Sequence, residues 1–427
     1  MSKAYPKYKP SGVEWLGDVP EHWEVKKLSW LFSYSKGPNA AQLTKDYIGQ
    51  NTGDYPVYSG QTENDGLMGE IDSYDFNFQY PVIFVTTVGA KAMSTRLVQG
   101  KFSLSQNCAL VIPRNAKVDS RYFEGVLRPL FDYEKRSISL IMQPSLRFED
   151  LNRFRVPLPP LPEQQAIAAF LDRETGRIDA LIAKKERLLE LLAEQRTALI
   201  SRAVTKGLDA SVKLKPSGVE WLGDVPEHWE ALPLRRIVEK VKTGGTPTGA
   251  EDSAFDDEGF NWWYSPGDFS DDIRLGKSSR SLSDEGKQEV RIFPPKTVML
   301  VGIGTIGKVG LAINESSCNQ QINGIICSRL LNPEFATYYM KTLKEYIIKC
   351  GKYTTLPIIN QDETKNLIFT LPPLPEQQAI AAFLDRETAK IDALSSKVAT
   401  VIERLKEYRT ALISSAVTGK IDVREAV

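Results

Sequence analysis

The sequence predicts an α+β chain: two globular domains of mixed α/β structure and two long α-helices that pack against each other, in a pseudo-two-fold arrangement. Three observations carry this reading. The phrase LPPLPEQQAIAAFLDRET occurs twice without a substitution, at 158–175 and 371–388. The phrase KPSGVEWLGDVPEHWE also occurs twice, at 9–24 and 215–230. Between them the sequence differs almost completely, and the offsets of 206 and 213 residues make the second insert seven residues longer. Two copies are too few for a solenoid, which stacks several units. They suit the intramolecular analogue of a symmetric dimer. The resulting boundaries are 1–157 for the first variable domain with its opening phrase 9–24, and 158–207 for the first helical region. The second domain is 208–370 with its opening phrase 215–230, and the second helical region is 371–427.

Each opening phrase carries a His-Trp pair, His22–Trp23 and His228–Trp229, and these are the only histidines in the chain. The tryptophans read as anchors that pack each phrase, and the histidines as a duplicated structural position. In the first insert YPVIFVTTVG and CALVIP are short, apolar, β-branched runs bounded by turns, as TVMLVGIG and INGIICS are in the second, so these are predicted strands. A helix-like passage comes next in each, SRYFEGVLRPLFDYEKR and EFATYYMKTLKEYIIK. The inserts are therefore expected to share a fold while differing in sequence.

The helical regions begin where PLPP, which is extended, gives way to Pro162 and Glu163, a proline and a carboxylate that favour a helix N-terminus. No proline interrupts the chain from there to Val204. Leu171, Ile178, Lys185, Leu192 and Leu199 are spaced by seven, with Leu181 and Leu188 on the interleaved stripe. The second copy has Leu384, Ile391, Val398, Leu405 and Leu412, with Leu394, Val401 and Tyr408 beside them. A seam of this period requires a partner helix. About forty residues at 1.5 Å each reach about 60 Å, more than one globular domain needs. The other reading is a core helix of one large domain. Gly207 and Gly419 are the expected stops.

Composition narrows the function class. The chain has 427 residues, formal net charge zero and 42% apolar residues, enough for ordinary cores. Neutrality speaks against a free-standing, nonspecific nucleic-acid binder. No run approaches the roughly 20 apolar residues of a membrane span, and the N-terminus MSKAYPKYKPSG lacks a signal-peptide core, so a cytoplasmic protein is expected. Cys108, Cys318, Cys327 and Cys350 show no paired spacing, which suggests neither a zinc site nor a disulfide framework. GIGTIGKVG, from Gly302 to Gly310, imitates both a dinucleotide fingerprint and a phosphate loop. Both mechanisms need a helix to start there. The next residues, VGLAINESS, read instead as strand and turn, and Val309 stands where a magnesium-binding hydroxyl would be. Asp268 with Glu285 and Lys287 faintly imitates a nuclease triad but has no counterpart in the first insert. Adenine methyl transfer would want an Asn- or Asp-Pro-Pro-aromatic motif, which is missing. No catalytic residue and no metal ligand is assigned.

The duplicated Pro-Leu-Pro-Glu-Gln-Gln phrase running into a long helix, PEHWE opening each half, and the divergent inserts together resemble the specificity subunit of type I restriction-modification enzymes, over essentially the whole chain. The resemblance implies two target-recognition domains, each reading one half of a split site in double-stranded DNA. It implies that the two long helices pair antiparallel, hold the domains apart, set the spacer and dock two modification (methyltransferase) subunits. It further implies a subunit without catalytic activity or cofactor of its own, assembled with those subunits and with restriction (motor and nuclease) subunits. S-adenosylmethionine, ATP and Mg then belong to the partner chains. The alternatives are a self-sufficient nuclease and a coiled-coil adaptor without DNA readout.

Bases are read by amides and by Arg or Lys, while phosphates accept from Lys, Ser, Thr and backbone N–H groups. On that chemistry the candidate DNA-binding residues of the first insert are Thr87, Gly89 and Lys91, then Ser105, Gln106 and Asn107. In the second they are Thr305, Gly307 and Lys308, then Asn319, Gln320, Gln321 and Asn323. Tyr58, Ser59 and Gln61, and Trp263, Tyr264 and Ser265, are further candidates at strand-to-loop turns. Amides at such places also close turns or satisfy buried backbone.

Overall fold

The computed structural model describes residues 4–60, 66–89, 91–136, 138, 144–248, 251–256, 258–350 and 358–424. Two compact units emerge, Met1–Glu186 with Ala399–Val427, and Arg187–Val398. Both unit boundaries fall inside the long helices, Leu161–Lys206 and Leu374–Val417. Each unit therefore contains a stretch of both.

In the first unit the opening phrase forms a small antiparallel hairpin, Tyr8–Pro10 against Asp18–Pro20. It continues into Glu24–Lys27, which pairs antiparallel with Arg155–Leu158 just before the first long helix. The insert thus leaves and returns through a two-stranded neck, with Glu24 opposite Leu158. Beyond the neck is a six-stranded sheet in the order Phe32–Ser35, Cys108–Pro113, Phe76–Thr86, Thr95–Leu104, Thr52–Tyr58, Leu67–Ile71. Its pairings are antiparallel except for the parallel contact of Thr52–Tyr58 with Thr95–Leu104. The helix Ser120–Arg136 covers one face with Tyr122, Phe123, Val126 and Leu127. These pack with Val85 and Val111 from the sheet, Ile167 and Leu171 from the first long helix, and Ile413 and Val417 from the second.

The second unit repeats the plan. A hairpin, Leu214–Pro216 with Asp224–Pro226, leads to a neck in which Glu230–Pro233 pairs with Ile368–Leu371. A four-stranded sheet runs Val238–Thr243, Ile322–Cys327, Thr297–Val301, Val309–Ala312, matching the order of the first four strands of the other unit. The helix Pro333–Thr342 covers it, packing Phe335 and Tyr339 with Val298, Ile325 and Val204. The remainder differs, since a separate three-stranded sheet of Arg280–Leu282, Asn261–Tyr264 and Ser317–Cys318 takes the place of the outer strands.

The repeated phrases are bonded to each other. Glu163 is buried at the first helix N-terminus and accepts from Tyr5 Oη (2.6 Å) and Trp23 Nε1 (3.0 Å), with His22 Nε2 at 2.9 Å. Glu376 does the same for Trp229 Nε1 (3.1 Å) and His228 Nε2 (2.9 Å). Gln164 and Gln377 each bind backbone just after the neck, donating to Pro159 O and Pro372 O, and of the chain leading into the covering helix, accepting from Asp119 N and Asn332 N. Both tryptophans are fully buried.

Within each unit the two long helices run antiparallel. In the first, Leu171 and Val417 flank Gly125, while further along Asp179 Oδ1 accepts from Arg409 Nε at 2.8 Å. In the second, Val204 packs with Leu384 and Arg196 Nε donates to Asp392 Oδ1 at 3.0 Å. The spacing by seven is the buried seam: Leu171, Ile178, Leu192, Leu384 and Val398 are buried, and Leu199, Ile391, Leu405 and Leu412 are half-buried. The interleaved stripe requires correction. Leu181 and Leu394 are 41% and 46% exposed, so they face away from the seam, while Leu188 is half-buried. The seam instead advances four residues from each heptad position, through Ile182, Leu189, Ser395 and Ile402. The helices stop at Lys206 and Val417, with Gly207 and Gly419 just beyond at φ of 77° and 73°.

Candidate nucleic-acid interface

Both units build one backbone frame at the end of the sheet. In the first, the strand ending at Thr86 runs out to Thr87, whose N–H donates to Asn107 O (2.7 Å) and whose carbonyl accepts from Leu146 N (2.8 Å). In the second, Gly302 N donates to Gln321 O (2.8 Å) and Gly302 O accepts from Ile359 N (2.8 Å). The chain then turns back through left-handed residues, Gly89 and Met93 in one unit, Gly304 and Gly307 in the other. Such φ values suit glycine and strain other residues. The return closes with Met93 N to Thr86 O (2.8 Å) and Gly307 N to Val301 O (3.1 Å). Val88 and Ile303 therefore occupy the same place at the tip, each in a β-bridge, to Ser145 and Ile358 respectively.

Around the first frame Ser59, Ser105, Gln106 and Asn107 line one groove with Val88, Thr44 and Lys45. Gln106 and Asn107 are exposed. They bond inward through backbone carbonyls, Gln106 O accepting from Ser105 Oγ and Cys108 Sγ. Among the described residues their side-chain amides have no protein partner. Lys91 is exposed on the returning loop, while Thr87 is buried and contributes its backbone. Tyr58 packs against Arg96, whose guanidinium lies 4.2 Å from the ring centre, and against Phe102. Gln61 lies outside the described residues.

Around the second frame Gln320 and Gln321 line a groove with Ile303, Thr243, Asn360 and Gln361. Gln320 is exposed and uses Oε1 for Thr246 Oγ1 (2.5 Å). Gln321 uses Oε1 for Asn319 Nδ2 (2.9 Å). Both leave the amide nitrogen without an internal acceptor among the described residues. Thr305 is exposed on the loop, and Gly307 is buried in its turn.

Several expected readers are structural. Asn323 is buried, accepts from Thr243 Oγ1 (2.8 Å) and donates to Thr364 Oγ1 (3.2 Å) and Ile359 O (3.3 Å). Asn319 closes its own turn by accepting from Gln321 N (3.0 Å). Lys308 points to the carbonyls of Phe269 (3.3 Å) and Pro266 (3.5 Å). It aligns with Ser94 rather than Lys91, since Val301 N to Lys308 O repeats Thr86 N to Ser94 O. Trp263 and Tyr264 belong to the core, donating to Gly245 O and Gly276 O at 2.9 Å each, and burial pushes the Tyr264 phenol above its ordinary range. Ser265 binds Asp268 in a capping box. Sequence reasoning misses Thr243, Asn360 and Gln361. Their signal is the stretch KTGGTPT, in which a Cβ at Gly244 would collide with the Cys318 backbone, and the capping sequence NQDE.

The remaining sequence motifs fold as structural elements. Gly302–Gly310 joins two strands, Thr297–Val301 and Val309–Ala312, and starts no helix. Asp268 caps its own turn, and Lys287 pairs with Glu315 at 2.8 Å. Burial pushes the Cys108, Cys318 and Cys327 thiols up to about 12, far from the reactive thiolate range. Among the described residues no three His, Cys, Asp or Glu side chains come together as metal ligands, and no helix is long and apolar enough to cross a membrane.

Comparison with known proteins agrees with this layout. The family model described as type I restriction modification DNA specificity domain matches twice, at residues 20–191 and 226–404. The type I restriction enzyme MjaVIII specificity subunit of Methanocaldococcus jannaschii is 24% identical over 424 residues, covering 95% of this chain and 94% of that one. Among solved structures, one from a study of complex assembly and conformational transition of the type I restriction-modification system has a TM-score of 0.72 at 16% identity, covering 94% and 99% of the two chains. The HsdS subunit from Thermoanaerobacter tengcongensis has a TM-score of 0.53 at 15% identity, covering 94% and 98%. With two matches that take in most of its length, the chain belongs to the family of type I restriction-modification DNA specificity domains.

Proposed function

We propose that this chain is the non-catalytic specificity subunit of a type I restriction-modification complex, in which each unit reads one half of a bipartite site in double-stranded DNA. The observation that carries the reading is the duplicated frame: two divergent inserts present amide-lined grooves on the same hydrogen-bond scaffold. Amides and hydroxyls converging beside a loop tip are the chemistry that reads base edges. The long helices dock two modification subunits. What supports this is their outward apolar stripe, Leu181, Val401 and Tyr408 in the first unit and Leu191 and Leu394 in the second, all exposed. Methyl transfer from S-adenosylmethionine, and ATP- and Mg-dependent cleavage, reside on the modification and restriction subunits. Partner chains also supply part of the phosphate binding that a neutral chain lacks.

The test is methyl transfer from labelled S-adenosylmethionine to plasmid DNA. The modification subunit with this chain transfers label, and neither protein alone does. Transfer by this chain alone would return the self-sufficient enzyme to consideration. Transfer by the modification subunit alone, at the same sites, would remove the recognition role.

A further inference from the structure

Resting on that reading, the geometry points to which residues read bases and which base pair they read. We propose that in each unit the exposed amide turn, Gln106–Asn107 or Gln320–Gln321, together with the apolar tip Val88 or Ile303, recognises an A·T pair in the major groove. Two independent observations meet here. The first is elimination. Of the amides near the two frames, Asn319 and Asn323 are satisfied inside the protein. Gln361 lies 2.8 Å from the Thr243 hydroxyl, and Asn360 caps the helix Gln361–Asn366. Among the described residues the side chains of Gln106 and Asn107, and the amide nitrogens of Gln320 and Gln321, have no protein partner and are left to meet a ligand.

The second observation is the tip. Val88 is 42% exposed and Ile303 half-buried, at matching positions of the two frames. Each lines the same groove as its amide turn, and the residue before it is bonded to that turn, Thr87 N to Asn107 O or Gly302 N to Gln321 O. A β-branched apolar side chain at a polar rim offers a ligand an apolar contact beside the amides. In the major groove the apolar feature of a base pair is the thymine methyl, beside the adenine N6 donor and N7 acceptor that an amide matches in a bidentate contact. An amide next to a methyl-sized apolar contact is therefore complementary to an A·T pair as a whole. A G·C pair would favour an Arg or Lys on guanine; among the described residues the second groove is lined by neither, while Lys45 lines the first.

The experiment uses this chain in complex with its modification subunits, acting on a plasmid pool with randomised half-sites, with methylation read base by base. Gln106→Glu exchanges the amide donor for a second acceptor. It should shift one position of one half-site from A·T towards a pair presenting the cytosine N4 donor, by about tenfold or more in relative methylation, leaving the other half-site as it was. Gln320→Glu should do so in the other half-site. If either variant is silent, Gln106→Ala and Gln320→Ala decide: relaxed preference at one A·T position supports the assignment, and an unchanged motif overturns it. A binding measurement isolates the tip. Uracil in place of thymine should weaken the wild-type complex several-fold and the Val88→Ala complex hardly at all, whereas equal weakening of both overturns the assignment. A wild-type motif that depends on this chain but ignores all these variants removes only the base-reading assignment. A motif independent of this chain removes the function on which it rests.

Discussion

Glu163 and Glu376 show how single residues explain a repeated phrase. Each carboxylate lies at the start of a long helix and holds the His-Trp pair of the opening phrase. The two phrases therefore stay alike together, because changing either leaves a buried polar group without its partner. Replacing Glu163 with Ala strands the Trp23 indole N–H and the buried Tyr5 hydroxyl. The expected loss is about 2–4 kcal/mol of stability, since each orphaned buried group costs about 1–3 kcal/mol. Glu376→Ala should cost less, because among the described residues no tyrosine bonds that carboxylate, which is also more exposed. Urea unfolding of the two variants checks both the loss and its order. A pH dependence comes from Lys341, whose half-buried ammonium feels the charge of Arg196 and donates to Asp271 O and Asp272 O. Burial first, then Arg196, brings its pKa down to about 8, against about 10.4 in an unfolded chain. Between those values the unfolded chain binds more protons, so this group makes stability rise with pH across that window. From pH 7.5 to 10.5 the stability of the wild type should rise relative to that of Lys341→Met; parallel curves would reject it.

At the level of elements, the long helices separate what apolar periodicity can reveal from what it cannot. The positions spaced by seven are the seam, as the sequence indicates. The interleaved stripe is not, because the second copy is apolar at the exposed places, Leu394, Val401 and Tyr408, and polar at the seam places, Ser395 and Arg409. Arg409 and its counterpart Arg196 are tolerated there because Asp179 and Asp392 of the opposing helix neutralise them, a cross-helix pairing that counting apolar residues on one helix does not register. Leu192→Ala and Val398→Ala should therefore each destabilise by about 2–4 kcal/mol as buried truncations. Leu181→Ala and Leu394→Ala should stay within about 0.5 kcal/mol while weakening association with the modification subunit. Thermal unfolding and pull-down on the same four variants distinguish the stripes, and the reverse pattern would refute the assignment. The inserts are legible to a similar depth. Their strands and covering helices stand in the sequence as apolar runs between turns. So do the loops carrying the proposed readers, because amides cluster there. Which amides face outward is hidden, since the Asn323 nitrogen finds acceptors in Thr364 and Ile359 while among the described residues the Gln320 nitrogen finds none.

For the molecule as a whole, the repeat gives both units the same parts: hairpin, neck, sheet, covering helix, and a stretch of each long helix. The ion pair between the helices forms once in each unit with the copies exchanged, Arg409 with Asp179 and Arg196 with Asp392, both arginines and both aspartates standing 213 residues apart in their repeats. Because the necks close each insert at fixed residues, the grooves can diverge without disturbing what carries them. If the helices act as a ruler, four residues inserted after Leu192 lengthen that helix by about 6 Å. The gap between half-sites should grow while both half-site sequences persist, and an unchanged gap would remove the ruler. Whether this chain chooses where DNA is modified is decided by mapping methylated bases in cells that express it with its modification subunit. A split, adenine-methylated motif should appear there and vanish when this chain is deleted. A motif that survives the deletion, or a stable complex whose methylation never depends on this chain, would show that specificity lies elsewhere.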